Sequence, residues 1–156
     1  MVEPAIRRAS AADAAALARV YRSAYRENRE LGFPAKAGSA TEREVGDWIR
    51  GCRVYAARVD DEVVGGVRLE ASGPERVKLS RLGVHGNWKG EGIGGTLLDH
   101  AEGAVRDCGR TTVWLTTPGE HPYLPELYRG RGYEETGTYP LEHREYDEIV
   151  MEKRVR

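Results

Sequence analysis

The sequence between Val77 and Val105 reads V-K-L-S-R-L-G-V-H-G-N-W-K-G-E-G-I-G-G-T-L-L-D-H-A-E-G-A-V. It predicts a strand from Val77 to Val84, then a glycine-rich turn, and then a helix. A strand and a glycine turn at the start of a helix are typical of phosphate sites, because the first amides of a helix lack internal partners. Glycines let those amides converge on an anion without a Cβ in the way. Apolar residues of the helix recur at every fourth position, at Ile93, Leu97, Ala101 and Val105.

The apolar residues of the predicted strand change face near Ser80–Arg81. Val77 and Leu79 have one parity along the chain, and Leu82 and Val84 have the other. Side chains alternate between the two faces of a strand, so one extra residue, a β-bulge, would restore the register and bend the strand. We therefore expect this strand to separate from a neighbour just before the glycine turn. The gap would suit an extended molecule with a pyrophosphate at one end.

Two other phosphate-binding motifs contain similar glycine runs, and both fit this sequence poorly. A P-loop has Lys and then Ser or Thr directly after its last glycine, whereas Lys89 precedes the glycines here. A dinucleotide-binding fold has its glycine fingerprint after the first strand, with a long chain following. Here the glycine run lies past the middle of the chain, and too few residues follow it for the usual six-stranded sheet.

Length and composition limit the class of protein. The chain has 156 residues, so we expect one domain over residues 1–156. It has 24 Lys and Arg against 25 Asp and Glu, a balance that argues against general nucleic-acid binding. It has neither a long apolar segment nor the apolar region of a signal peptide at its start, so we expect a cytoplasmic protein without membrane association. The distant Cys52 and Cys108 indicate free thiols rather than a disulfide or a metal site.

The rest of the chain predicts an α+β fold of three layers: a mixed, mostly antiparallel sheet with helices on both faces. A helix from about Ala11 presents Leu17, Tyr21 and their neighbours on one side, and the run Arg26–Pro34 ends it. The capping box Thr41-x-x-Glu44 begins a second helix. A short helix follows Pro125. The other predicted strands are Ala5–Ala9, Arg53–Val59, Glu62–Ala71, Thr111–Thr116, Tyr133–Tyr139 and Tyr146–Lys153, the last two as an antiparallel pair.

The glycine run resembles motif A of the GNAT family of N-acetyltransferases. That motif has Arg or Gln, two residues, Gly, one residue, and Gly or Ala, and the segment from Lys89 to Gly94 matches it with Lys in the first place. The element order matches as well, which implies the acyl-CoA N-acyltransferase fold over nearly the whole chain. The resemblance implies that the backbone of Leu82 and Val84 lines the pantetheine arm of coenzyme A. It also implies that the coenzyme A pyrophosphate binds the amides of Lys89, Gly90, Glu91, Gly92, Ile93, Gly94 and Gly95.

A second segment, from Leu127 to Tyr133, resembles the family pattern Leu-Tyr-x-x-x-Gly-Phe. By that match Tyr128 binds near the coenzyme A sulfur and protonates it as the general acid, while the Val84 N–H polarises the acetyl carbonyl. Seven residues before Tyr128 the family often has an Asn that holds the pantetheine, and this chain has His121 there. His121 either donates one such hydrogen bond or is an exposed loop residue.

The general base stays open. Members of the family that acetylate histone lysines have a Glu on the central strand, and this chain has Lys78 there, which we interpret as a solvated strand residue. The alternatives are Glu70, Glu75, His85 or a chain of water molecules. The acceptor would meet the variable segments 26–40 and 140–146. Candidate contacts to a cationic amine are Tyr25, Glu27, Glu30, Phe33 and Glu142.

These observations predict an acetyl-CoA-dependent N-acetyltransferase that uses no metal. Its acceptor would be a primary amine of a small molecule or peptide, which attacks the thioester directly in a ternary complex. The alternative is an acyl-CoA sensor or partner-binding module without catalysis. An RNA-directed acetyltransferase would need a basic face, which the net charge of −1 disfavours. Exposed edge strands leave a homodimer possible.

Overall fold

A single mixed sheet organises the protein, and the computed structural model describes residues 3–140 and 146–156. Within these residues the strand order is β1-β2-β3-β4-β5-β7-β6. Only the β4–β5 pair is parallel among the described strands, which confirms the predicted mixed, mostly antiparallel sheet. The strands are β1 Ala5–Arg8, β2 Arg53–Val59, β3 Glu62–Ala71, β4 Arg76–Val84, β5 Thr112–Pro118, β6 Glu134–Tyr139 and β7 Glu148–Arg154.

Helices cover both faces of the sheet, as predicted. One core forms where α1 and α3 pack on one face, and a second forms where α4 and α5 pack on the other. None of the helices in the described ranges has the length and apolar character needed to cross a membrane. The helices are α1 Ala14–Ala24, α2 Arg26–Glu30, α3 Glu42–Gly51, α4 Ile93–Asp107 and α5 Leu124–Gly130, with 3-10 turns at Ala11–Asp13, Lys36–Ser39 and Gly86–Trp88.

The local signals for helices are confirmed, with one correction. The apolar face of α1 is buried, and the capping box opens α3, where Thr41 Oγ1 accepts from the Glu44 amide at 3.2 Å. The run 26–34 was expected to end the first helix, and α1 does end at Ala24, but Arg26–Glu30 then forms a further short helix, α2, that was not expected. The Tyr25 amide still donates to the Tyr21 carbonyl and the Arg29 amide to the Tyr25 carbonyl, so the chain stays helical through α2.

Two consecutive glycines in β3 let both helix layers approach the sheet closely. A Cβ at Gly65 would lie 2.9 Å from Leu97 of α4, and a Cβ at Gly66 would lie 2.7 Å from Leu17 of α1. Consecutive residues of a strand face opposite sides, so each glycine admits one helix. Gly83 of β4 acts in the same way: the side chain of Ala24 in α1 would lie 3.0 Å from a Cβ at this position.

The predicted bulge lies in the second half of β4. Gly83 pairs with Gly66 and Ser80 with Arg68, so two residues of β4 lie opposite one residue of β3. Arg81, inside the bulge, has a left-handed φ of 52°. The parallel ladder to β5 ends at the pair Lys78–Trp114, although both strands continue. Beyond that pair β4 and β5 separate, as the change of parity predicted.

Candidate active site

A cavity of ≈ 600 Å³ lies where β4 and β5 separate. The bulged half of β4 forms one wall, from Ser80 to Val84, and Thr116–Pro118 of β5 contributes to the other. The first turn of α4 closes one end, while α5 and the segment after α2 cover the sides. The cavity is therefore bounded by strand backbone on two sides and by a helix N-terminus at one end.

The first turn of α4 can hold an anion. The first bond within the helix joins the Thr96 amide to the Gly92 carbonyl at 3.1 Å, so the three amides that open the helix have no intrahelical partner. Gly90 and Gly92 have φ of 82° and 80°, a backbone conformation that favours glycine. The turn thus directs free amides toward the cavity with no Cβ in the way, which fits a phosphate group.

The residues expected to bind the cofactor fall into two groups. Glu91, Gly95 and His121 do not line the cavity wall. Gly95 faces Arg131, whose guanidinium occupies the space of a Cβ and contacts Asp99 at 2.8 Å. The residues that do line the cavity are Leu82, Val84, Lys89, Gly90, Gly92, Ile93, Gly94 and Tyr128.

The backbone of Val84 presents its amide to the gap. The next amide, that of His85, donates to the Val64 carbonyl of β3 at 2.9 Å. Amides alternate between the two sides of a strand, so the Val84 N–H points away from β3. On that side β5 has already separated, and the N–H therefore faces the cavity rather than a ladder partner.

Tyr25 stabilises the bulge in β4. Its hydroxyl donates to the Leu82 carbonyl at 3.0 Å, and its ring lines the cavity. Burial raises the pKa of Tyr25 to about 12, so the phenol stays protonated and the bond is kept. Tyr25 was expected to contact the acceptor, and its ring lies on the cavity wall beside the bulged half of β4.

Tyr128 of α5 is buried on the cavity wall with 8% of its surface exposed. Burial raises the pKa of its phenol well above the ordinary value, and the nearby Tyr25 and the Glu148 carboxylate raise it further. The phenol is therefore neutral at physiological pH and keeps a proton that it can donate into the cavity.

Lys89, which occupies the Arg or Gln place of the motif, is paired within the protein. Its ammonium lies 2.8 Å from the Glu27 carboxylate, which also accepts from the Tyr123 hydroxyl at 2.7 Å. These two contacts lower the pKa of Glu27. Glu27 and Glu30, named as candidate contacts to an amine, line a separate depression rather than this cavity.

His121 is buried, with 5% of its surface exposed, so the alternative of an exposed loop residue was wrong. Its Nδ1 accepts from the amides of Tyr123 and Leu124 at 3.3 and 3.2 Å, where α5 begins. Nε2 lies 3.1 Å from Asn28 Oδ1 and, with Nδ1 accepting, it donates. Burial lowers the pKa of His121, which keeps the ring neutral. Asn28 lines the cavity, and no local sequence signal identified it.

None of the three side chains considered as general base lines the cavity. The Glu70 carboxylate pairs with Arg68 at 3.0 Å, and His85 Nδ1 accepts from the Asn87 amide at 3.1 Å. Glu75 lies outside the cavity lining. Glu148 of β7 is the one carboxylate among the described residues of the wall. Sequence analysis missed it, because nothing in its local sequence separates it from other charged strand residues.

Lys78, interpreted as a solvated strand residue, is half-buried on β4 and also lines the cavity. Its ammonium lies over the rings of Trp114 and Tyr139, 5.2 and 5.6 Å from their centroids.

Of the expected acceptor segments, Phe33 lines the cavity and packs against Tyr146 at 5.2 Å between ring centroids. Glu142 lies outside the described residues.

Both cysteines are free thiols, as predicted, and neither lines the cavity. Within residues 3–140 and 146–156 no group of three or more His, Cys, Asp and Glu side chains could hold a metal ion. The described residues of the cavity wall present backbone amides, phenols, one carboxylate and several cations.

Comparison with known proteins gives a consistent result. The model of the Acetyltransferase (GNAT) family matches residues 16–133. N-acetyltransferase 8B of Rattus norvegicus is 32% identical over 95 residues, which are 58% of this chain and 43% of that protein, so the chain spans less than half the length of that relative.

Two solved structures have the same fold. The ribosomal-protein-alanine N-acetyltransferase from Brucella melitensis has a TM-score of 0.78 at 24% identity, over 96% of this chain and 99% of that one. The PaiA N-acetyltransferase from Thermoplasma acidophilum, in complex with coenzyme A, has a TM-score of 0.74 at 20% identity, over 98% and 99%. These likenesses confirm the acyl-CoA N-acyltransferase fold.

Proposed function

The chain belongs to the GNAT family of acetyltransferases, and from this premise we propose that it transfers an acetyl group from acetyl-CoA to a primary amine of a small molecule or peptide. One observation carries the proposal. The gap between β4 and β5 has the Val84 amide on one wall, the neutral Tyr128 phenol on another, and a helix start suited to phosphate at its end. In an extended acetyl-CoA, the thioester carbonyl would meet the Val84 amide and the sulfur would meet Tyr128. The pyrophosphate would then meet the start of α4.

Three features of the chain would bind the co-substrate. The free amides at the start of α4 would hold the pyrophosphate, and the backbone of Leu82 and Val84 would line the pantetheine. Thr117 Oγ1 is buried and has no hydrogen-bond partner among the described residues, although Thr117 lines the cavity. A buried hydroxyl without a partner is costly, and a polar group of the bound pantetheine would satisfy it.

Acetyl transfer requires few catalytic groups from the protein. The amine nitrogen attacks the thioester carbon, the new C–N bond forms and the C–S bond breaks. The Val84 N–H would stabilise the charge that develops on the carbonyl oxygen, and Tyr128 would give its proton to the departing sulfur. Direct attack in a ternary complex is consistent with a wall that contains neither Cys52 nor Cys108.

The direct test is thiol release from acetyl-CoA in the presence of a broad set of primary amines, with the acetylated product identified by mass. We expect release that depends on the amine and an equal amount of acetylated product. Binding of coenzyme A without thiol release on any amine would favour the acyl-CoA sensor instead. Absence of coenzyme A binding would contradict both functions.

A further inference from the structure

Two opposite charges on the cavity wall have no ion-pair partner among the described residues. The cations of the wall are Arg68, Lys78, Arg81 and Lys89, and Glu148 is the only described carboxylate there. Arg68 and Lys89 are already paired, with Glu70 and Glu27. Lys78 and Glu148 form no salt bridge with each other or with any other described residue.

Lys78 does not pair with Glu70, the carboxylate opposite it in the strand register. Its position in β4 is directly opposite Glu70 of β3, but Glu70 pairs with Arg68. The Lys78 ammonium lies instead over the rings of Trp114 and Tyr139. These rings hold the side chain in place while leaving its charge available to an anion in the cavity.

The position of Lys78 excludes a role in binding the pyrophosphate. It lies six residues before Val84 along β4, which corresponds to roughly 20 Å of extended strand. The glycine turn and the start of α4 come only after Val84. Lys78 is therefore at the opposite end of the cavity from the phosphate site, where the acceptor would enter.

Glu148 lies near Tyr25 and Tyr128 and lines the same cavity as Lys78. Its carboxylate is close enough to Tyr25 and Tyr128 to raise the pKa of both phenols. The Thr116 hydroxyl donates to Glu148 Oε1 at 2.9 Å and orients the carboxylate. Glu148 is also the strand partner of Tyr139, whose ring lies 5.6 Å from the Lys78 ammonium, so both charges neighbour Tyr139.

We infer that the acceptor is a small amino carboxylate, whose amine meets Glu148 and whose carboxylate meets Lys78. This deepens the proposed function and rests on it. A molecule that carries both charges would neutralise both groups at once, whereas a simple amine would leave Lys78 without a counter-ion. The aromatic side chains of Phe33, Tyr139 and Tyr146 on the wall would contact the carbon skeleton.

Glu148 also completes the proton balance. The amine arrives as an ammonium, and Glu148 takes one proton to give the neutral nucleophile. After attack the nitrogen loses a second proton, which replaces the one that Tyr128 gives to sulfur. The products are the amide, the free thiol of coenzyme A and one proton released from Glu148 to solvent.

The test compares each acceptor with its own carboxamide. The panel contains the common L-amino acids, β-alanine and γ-aminobutyrate, each beside the corresponding amide, and thiol release gives kcat/KM. We expect the acids to exceed the amides by roughly 10- to 100-fold, the range for one charge-assisted contact. Lys78→Met should remove this preference, and Lys78→Arg should retain most of it.

Two further variants separate the roles. Arg43→Met removes an exposed cation of α3 that does not line the cavity and should keep the wild-type preference. Glu148→Gln should lower kcat for acids and amides alike, while the ratio between them stays near the wild-type value. Thermal unfolding of each variant checks that the fold is retained.

The outcomes distinguish the two proposals. Equal rates for acids and amides, or a preference unchanged in Lys78→Met, would overturn the amino-carboxylate acceptor and leave acetyl transfer standing. Unchanged kcat in Glu148→Gln would overturn the role of Glu148. If no amine of either kind releases thiol, acetyl transfer itself fails, and the inference fails with it.

Discussion

Tyr25 and Tyr128 show how burial assigns different tasks to the same side chain. The Tyr25 hydroxyl donates a hydrogen bond to the Leu82 carbonyl and so stabilises the bulge, while Tyr128 faces the cavity with its proton available. Burial raises the pKa of both phenols, which keeps each one protonated where an exposed tyrosine would begin to ionise. Both phenols therefore stay protonated into the alkaline range.

Replacing Tyr128 by Phe tests the proton donor. The change removes one hydroxyl and keeps the ring that packs against Tyr133 at 5.8 Å between centroids. We expect kcat for thiol release to fall by roughly 10²–10⁴, the range for loss of a general acid, with coenzyme A affinity nearly unchanged. Tyr123→Phe, which removes a hydroxyl bonded to Glu27, is the control and should keep most of the activity. Unchanged turnover in Tyr128→Phe would remove the assignment.

The unit formed by β4, the glycine turn and α4 carries the proposed phosphate site. The bulge bends β4 away from β5, and the left-handed glycines then reverse the chain into α4. The buried face of α4, which includes Ile93 and Leu97, holds the helix on the sheet, so its free amides keep their direction. The position of the anion site thus depends on packing several turns away from it.

Two glycines of this unit provide a matched pair of variants. Gly92 has φ of 80°, so Gly92→Ala forces a left-handed alanine at a cost of about 1–2 kcal/mol. We expect a lower melting temperature and roughly tenfold weaker coenzyme A binding by calorimetry. Gly103 lies inside α4, where a new Cβ would make an ordinary 3.6 Å contact with Arg106. Gly103→Ala should raise stability by about 0.5–1 kcal/mol and leave binding unchanged. Equal affinity in the two variants would show that the left-handed turn does not position the amides.

Across the whole molecule, the two parts of the sheet meet along a short seam. Only the pairs from Arg76–Thr112 to Lys78–Trp114 join β4 to β5 within the described residues. Beyond the seam, contacts over the cavity connect the N-terminal half to the C-terminal half. They include His121 with Asn28 at 3.1 Å and the Tyr146 hydroxyl with the Pro34 carbonyl at 2.6 Å. These contacts link the two halves of the chain on the side of the cavity away from the seam.

The His121 contact should make stability depend on pH. Burial lowers the pKa of His121 in the folded state, whereas the unfolded chain takes up the proton near pH 6.5. This contribution is complete above about pH 6.5 and is lost as the pH falls through the lower folded value. Between about pH 7 and 5, wild type should therefore lose roughly 2–4 °C more in melting temperature than His121→Asn, which does not titrate. His100→Asn, at an exposed site, should keep the wild-type slope, and the same slope in His121→Asn would contradict the assignment.

Local patterns by themselves determined the elements of this protein and the location of its proposed anion site. The apolar period of α4, the capping box of α3, the parity change in β4 and the glycine turn each act within a few residues, so the chain alone predicts them. Only the tertiary structure decided which side chains share the cavity. Lys78, Glu148 and His121 have local sequences like those of ordinary surface residues, and their surroundings come from strands and helices far away in the chain. A side chain's charge and burial depend on what the fold packs against it, and that information is not contained in its sequence neighbours.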